Sequence, residues 1–307
     1  MRITLIASND QNLLTLENQE TEINQISQTI SSGQKMSSPS DDPYSWAQAM
    51  NVQQGVREYN SVLGNVSYAN GFEQATSSAL SQLSDLLSQA KDVAISAASS
   101  TSSSSSYTSE VSSILQQALN LANTQYDGEY IFAGTATDTA PYSIDSNGNV
   151  TGGGTGSIEV RTGVSNGTDS NLTQINVPGD DVFTFTSGGS TKNVLSQLYQ
   201  LQQALNNGDS SAISGAITTM GDAFENVNNQ ITINGDRMSA LSTQQSALTT
   251  LQTDTKNELS GLQDTDLAAA TTKLDQMQTS FEAALKVTSM LDNLNLAAYL
   301  AGDVSSV

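Results

Sequence analysis

The side chains that most often carry proton transfer and covalent chemistry are missing from this chain, which has no histidine and no cysteine. Ser-His triads, thiolate nucleophiles, disulfide frameworks and ordinary zinc sites are therefore excluded. What remains are carboxylates. Asp41-Asp42 and Asp180-Asp181 could in principle share acid–base or metal work, but no second ligand cluster stands near either pair in sequence. Capping and turn roles explain such pairs better. The run Asp145-Ser146-Asn147-Gly148-Asn149 has the composition of a calcium loop. Its glycine falls at the wrong position and no bidentate Glu follows, so a turn is expected. Gly152-Gly153-Gly154 lacks the Lys and the following helix of a phosphate loop. The sequence thus offers no catalytic, metal or cofactor residue, and we read the chain as a structural protein.

Charge narrows the partners. Against 31 acidic residues stand 10 basic ones, for a net charge of −21 and a pI near 4.1. Such a chain repels phosphate backbones and anionic lipid, so neither nucleic-acid binding nor membrane insertion is expected. Only 13% of residues are charged and 5% aromatic, leaving Ser, Thr, Asn and Gln to wet the surface. The opening Met-Arg-Ile-Thr-Leu-Ile-Ala-Ser-Asn-Asp is too short an apolar run for a signal-peptide core or a membrane span. Export through a cleaved leader is not expected.

The elements that organise the chain are seven-residue apolar repeats at its two ends. Leu16, Ile23 and Ile30 fall seven apart, with Leu13 and Ile26 widening the same face. Leu267, Leu274 and Phe281 form one late row, and Ala270, Met277, Ala284, Leu291 and Ala298 form a second offset by three. Two rows in this relation are the a and d positions of a heptad, which needs a partner helix along its length. The opposite end of the same chain is the nearest partner. Both stripes also contain Ala, Thr and Asn, so a lone two-helix pair would be marginal. Neighbouring copies are expected to complete it.

Between the ends, Gly33 reads as a C-cap of the first helix. Asp41 and Asp42 precede Pro43, with Asp42 the N-cap and Pro43 the first residue of the next helix. Helical periodicity then fills residues 43–98, with Trp46 as a core anchor, and residues 107–126 after a Ser/Thr loop. Composition changes at Asp127-Gly128 to Gly, Asn, Asp and Thr. Short alternating stretches at 157–162, 172–177 and 182–186 predict strands, punctuated by turns at Asn147-Gly148, Asn166-Gly167 and Pro178-Gly179. Helices resume at residue 193, stop at Asn207-Gly208, and run from 211 to about 262 with an irregularity at Asn234-Gly235. Asp264 and Asp266 cap a last helix from Leu267 to about residue 300, roughly 50 Å long. The expected fold is mainly α with a small β insert: a long antiparallel helical rod with paired terminal coiled-coil helices and a β-rich tip. Its parts are an N-terminal axial helix and connector (1–42), a rod in two pieces (43–132 and 192–263), the insert (133–191) and a C-terminal axial helix (264–307).

The connector Ser31-Ser32-Gly33-Gln34-Lys35-Met36-Ser37-Ser38-Pro39-Ser40-Asp41-Asp42-Pro43 resembles the segment after the first helix in the flagellin-like family of bacterial axial proteins. The proline-flanked Asp-Asp is similar to the hook-associated branch of that family. Asp127-Gly128-Glu129-Tyr130-Ile131-Phe132-Ala133-Gly134 with Thr139-Ala140-Pro141-Tyr142, Pro178 to Phe183, Leu262 to Leu267 and Leu294 to Leu300 resemble further family segments in the same order. Departures are modest, and Lys35 is read as replacing no essential chemistry. The resemblance implies an exported subunit of the flagellum, passing the type III channel without a cleaved leader. It implies a place in the junction layer between hook and filament, with the filament subunit itself as the alternative. The partners implied are like subunits in the same layer, the first hook-associated protein, flagellin and an export chaperone. No cofactor is implied. The assembly interface would be Leu13, Leu16, Ile23, Ile30, Leu267, Leu274, Met277, Phe281 and Leu291 of the terminal helices.

Overall fold

The computed structural model describes residues 2–99, 105–164 and 171–303, with side chains at 10–99, 105–164 and 171–290. Seven helices are described. They are α1 (Arg2–Ser32), α2 (Pro43–Ser99), α3 (Ser105–Ala122), α4 (Gly179–Phe183), α5 (Val194–Asn207), α6 (Ser210–Gln263) and α7 (Leu267–Asp303). Between α3 and α5 lie the eight short strands, and the fold is mainly α with a small β insert. The chain divides into two compact units, one of Met1–Val56 with Thr253–Val307 and one of Arg57–Gln252. The division falls inside α2 and α6, so both connectors, 33–42 and 264–266, belong to the first unit.

In the second unit the helices form where apolar residues recur at helical spacing. On α3, Val111, Ile114, Leu115, Ala118 and Ala122 are buried, and α5 answers with Val194, Leu195, Leu198, Leu201, Ala204 and Leu205. These two stripes pack against each other. Helix α5 is closed at both ends. The Asn193 side chain accepts from Leu195 N and Ser196 N, and Gly208 ends the helix in the left-handed region. Helix α6 runs straight through Asn234-Gly235, where the sequence predicts an irregularity. A glycine inside a helix costs only about 1 kcal/mol against Ala, and burial of its neighbour Asn234 holds the segment helical.

The β insert is four separate antiparallel hairpins and no larger sheet among the described residues. They are β1–β2 (Gln125–Tyr126, Glu129–Tyr130), β3–β4 (Tyr142–Ile144, Val150–Gly152), β5–β6 (Glu159–Arg161, Leu172–Gln174) and β7–β8 (Thr184–Ser187, Ser190–Asn193). Asp127 (φ 52°) and Gly128 (φ 86°) make the first a tight two-residue turn, as Asp-Gly favours. The turn at Asn147-Gly148 joins β3 to β4, whereas Asn166-Gly167 lies outside the described residues. Pro178-Gly179, expected as a turn, instead starts α4, and Val182-Phe183 is helical where a strand is expected. A short apolar run cannot choose between the two by periodicity. Burial decides it here: Phe183 is enclosed, with ring centroids 5.5 Å from Phe132 and 4.8 Å from Tyr142.

That aromatic cluster anchors the insert to the helical core. Phe183→Ala should lower the unfolding free energy of the whole chain by about 3–5 kcal/mol. Tyr44→Ala, at a residue 79% exposed, should change it by under about 0.5 kcal/mol. Urea denaturation of both variants makes the comparison.

Candidate assembly interface

The first unit is built from α1, the connectors, the start of α2, the end of α6, and α7. Helices α1 and α7 pack against each other, and an exposed ion pair, Lys273 Nζ to Glu22 Oε1 at 3.2 Å, marks their alignment. Solvent exposure reveals the seam. On α1 the covered positions include Asn12, Leu16, Gln19, Ile23, Ile26 and Ile30; on α7 they are Ala270, Leu274, Met277, Phe281, Ala284 and Thr288. Both series step by four and three, the a/d spacing of a two-helix coiled coil. The cover is partial. Of these positions only Leu16 is buried, and the others are half-buried.

Other apolar side chains stay in solvent. Leu13 is 53% exposed and Leu267 51%, so neither of these expected interface residues belongs to the intrachain seam. Leu14, Leu285, Val287 and Met290 are likewise exposed. The side chain of Leu291 lies outside the described residues. Gln19 shows the same incompleteness in polar form, because its Oε1 is buried with no hydrogen-bond partner.

The connectors clamp the roots of these helices. Gly33 leaves α1 at φ 71°, a conformation open to glycine, while its N–H donates to Thr29 O. The two connectors then pair as a short antiparallel bridge at Gln34 and Asp264. Lys35 N donates to Gln263 O at 2.8 Å and Thr265 N to Gly33 O at 2.9 Å. Met36, in the first connector, is buried at 5% exposure. Asp41 accepts from Ser37 N and Ser38 N, and these hydrogen bonds, that to Ser38 foremost, hold its carboxyl below the usual 3.8. Asp42 Oδ1 accepts from Tyr44 N and Ser45 N at the start of α2, where Pro43 is the first residue. Bonding to Ser45 lowers its pKa in turn. Asp266 Oδ1 accepts from Ala268 N and Ala269 N, capping α7, and Asp264 accepts from the Ser260 hydroxyl. Trp46 is half-buried at the first turn of α2.

Lys35 is the residue whose part the sequence reading misses. Its Nζ donates to Gly261 O at 2.8 Å, beside the main-chain bond from its own N–H to Gln263 O. It thus ties the last carbonyls of α6 to the first connector, where a cation suits the negative helix end. The scarcity of cations was the available signal, since the chain has only 10 basic residues and one of them stands in this connector.

Asp180 and Asp145 also have structural partners. Asp180 Oδ1 accepts from Gly154 N at 3.0 Å and from the Tyr142 hydroxyl at 3.4 Å. Asp145 Oδ1 accepts from Asn147 N and Asn149 N within its turn. Among the described residues no group of three or more Asp or Glu is placed to hold a metal ion. None of their helices is long and apolar enough to cross a membrane.

Comparison with known proteins fits this arrangement of helical ends. The family model described as the bacterial flagellin N-terminal helical region matches residues 4–137, and the one for the C-terminal helical region matches residues 217–300. Together they span more than two-thirds of the chain. The chain belongs to the flagellin-like family. Flagellar hook-associated protein 3 of Salmonella typhimurium is 26% identical over 96% of this chain and 98% of its own length. The protein of the same name from Escherichia coli is also 26% identical, with the same coverage. A Vibrio parahaemolyticus structure described as a flagellar hook-associated protein has a TM-score of 0.65 at 20% identity, covering 73% of this chain and 100% of its own. FlgL of Xanthomonas campestris gives 0.58 at 16% identity, covering 69% and 99%. FlgL of Bacillus cereus gives 0.56 at 18%, covering 68% and 98%. These structural likenesses establish a shared fold.

The caps can be tested at single residues. Asp266→Ala should cost about 1 kcal/mol of helix stability and speed hydrogen exchange at the Ala268 and Ala269 amides, leaving the core of the second unit unchanged. The depressed pKa values of Asp41 and Asp42 give stabilisation that is complete above 3.8 and lost as pH falls through their lower folded values. NMR titration should therefore show the Tyr44 and Ser45 amides shifting only below that pH.

Proposed function

We propose that this chain is the structural subunit forming the junction layer between the flagellar hook and the flagellin filament. The observation that carries this reading is end-to-end alignment with two proteins named flagellar hook-associated protein 3, over 96% of the chain. The subunit would contact like copies in its own layer, the first hook-associated protein on one side and flagellin on the other. An export chaperone would hold it before passage through the type III channel. Its place is outside the cell, in the flagellum.

The physical basis is the half-covered seam. Leu16, Ile23, Ile30, Leu274, Met277 and Phe281 are engaged between α1 and α7, while Leu13 and Leu267 stand exposed beside them. The first group would set the two-helix pair and the second would meet neighbouring copies. Removing large apolar surface from water at about 25 cal/mol per Å² then favours the assembled layer. The connector residues Gly33, Asp41, Asp42, Pro43, Asp264 and Asp266 would fix where the pair leaves the rest of the first unit. Asp41, Asp42 and Asp180 each accept from main-chain N–H groups, a structural role that supports this reading. A filament subunit is the second reading, and the family models alone would allow it, but both full-length relatives carry the junction protein's name.

Deletion separates these readings. Cells lacking the protein should carry hooks without filaments and release flagellin monomers into the medium. Intact filaments on such cells would refute the assignment. In sheared wild-type filaments the protein should be a trace component, whereas a filament subunit would be the bulk.

A further inference from the structure

Deep in the second unit lies a carboxyl that neither the caps nor the seam uses. Glu73 on α2 and Asn234 on α6 are both fully enclosed, at 0% exposure. The Asn234 amide Nδ2 donates to Glu73 Oε2. The remaining atoms of these two planar groups, Glu73 Oε1 and Asn234 Oδ1, are also buried, and neither has a hydrogen-bond partner. If the carboxyl were ionised, both would be acceptors and both would be orphaned, which buried polar groups rarely tolerate. One proton satisfies both. Carried on Oε1 and donated to Asn234 Oδ1, it would add a second hydrogen bond to the one from Asn234 Nδ2 to Oε2. Turning the amide over does not remove the need, because Oδ1 would then face Oε2 with a proton again required between two oxygens.

We propose that Glu73 is carried as a neutral acid in the folded subunit, and that its proton closes a two-bond clasp with Asn234 between α2 and α6 that opens when the proton leaves. Nearby groups are consistent with this. Thr76, one turn along α2, donates its hydroxyl to Phe72 O and not to Glu73. Arg237, on the same helix as Asn234, is the charged group acting on this carboxyl among the described residues, and its guanidinium donates to Asn176 O at 2.7 Å. Burial pushes the Glu73 carboxyl up to about 7, and Arg237 offsets only part of that effect.

The sign follows from proton uptake. A carboxyl raised from 4.5 to about 7 binds its proton more tightly in the folded chain. Its contribution to stability is fully present below 4.5, declines as pH rises, and is gone above about 7. At one decade per unit of separation, the folded-to-unfolded ratio should fall by up to roughly two orders of magnitude across that window.

The test uses the full chain. Urea unfolding is measured from pH 5 to pH 8 for wild type and Glu73→Gln, whose side-chain amide keeps the shape but carries no titrating proton. Wild type should lose at least about tenfold in folded-to-unfolded ratio relative to Glu73→Gln over this range. Infrared spectroscopy of the wild type alone should also show a protonated-carboxyl C=O band that titrates near pH 7, far above the exposed carboxylates. The second readout stands even if Glu73→Gln fails to fold. Parallel pH profiles for the two proteins, or no such band at pH 6, would overturn the proposal.

Discussion

Two helices with a narrow heptad seam cannot bury enough apolar surface to be stable alone, and this shortage governs the first unit. A short isolated pair gains little from helix propensity and must draw its stability from packing. Here the packing is partial: one seam residue, Leu16, is buried, and the flanking Leu13, Leu267, Leu285, Val287 and Met290 remain in solvent. The connectors answer part of the shortage. They join the roots of α1 and α7 by a main-chain bridge, by the Lys35 bond to the end of α6 and by the Asp266 cap. What they cannot supply is cover for the outer faces of the two helices.

The second unit is built to the opposite rule. Its helices carry fully enclosed Leu, Val, Ile and Phe side chains, and its hairpins are tied down by Phe132, Tyr142 and Phe183. Enclosed Asn176 is matched on both sides of its amide, its Oδ1 accepting from Ile158 N and its Nδ2 donating to Gly156 O. Glu73 with Asn234 is the exception that one proton would resolve. One chain thus combines a unit that closes its own core with another that leaves apolar faces open.

Much of this was legible in the residues. The heptad rows at Leu16, Ile23, Ile30 and at Leu274, Phe281 mark the faces that α1 and α7 turn toward each other, because a 3.5-residue period has one structural meaning. Pro43 and Gly33 bound their helices for equally local reasons. The sequence was silent where tertiary contacts decide. Val182-Phe183 has strand composition yet turns helical because the ring of Phe183 is needed in the core. Asn234-Gly235 has turn composition yet stays helical because Asn234 is enclosed against Glu73, 161 residues away in sequence. Leu267 fits the heptad but is exposed, and spacing alone does not show how far round the helix the partner's cover extends. Lys35 looked dispensable because its partner is a carbonyl distant in sequence.

Hydrogen exchange along α1 and α7, in the free subunit and in the assembled junction, examines the unfinished seam directly. Amides near Ile23, Ile30, Leu274 and Phe281 should exchange quickly in the free chain, while those of α3 and α5 stay protected, and they should slow by about a hundredfold or more on assembly. Protection of α1 and α7 equal to that of α3 in the free subunit, and unchanged on assembly, would contradict the account.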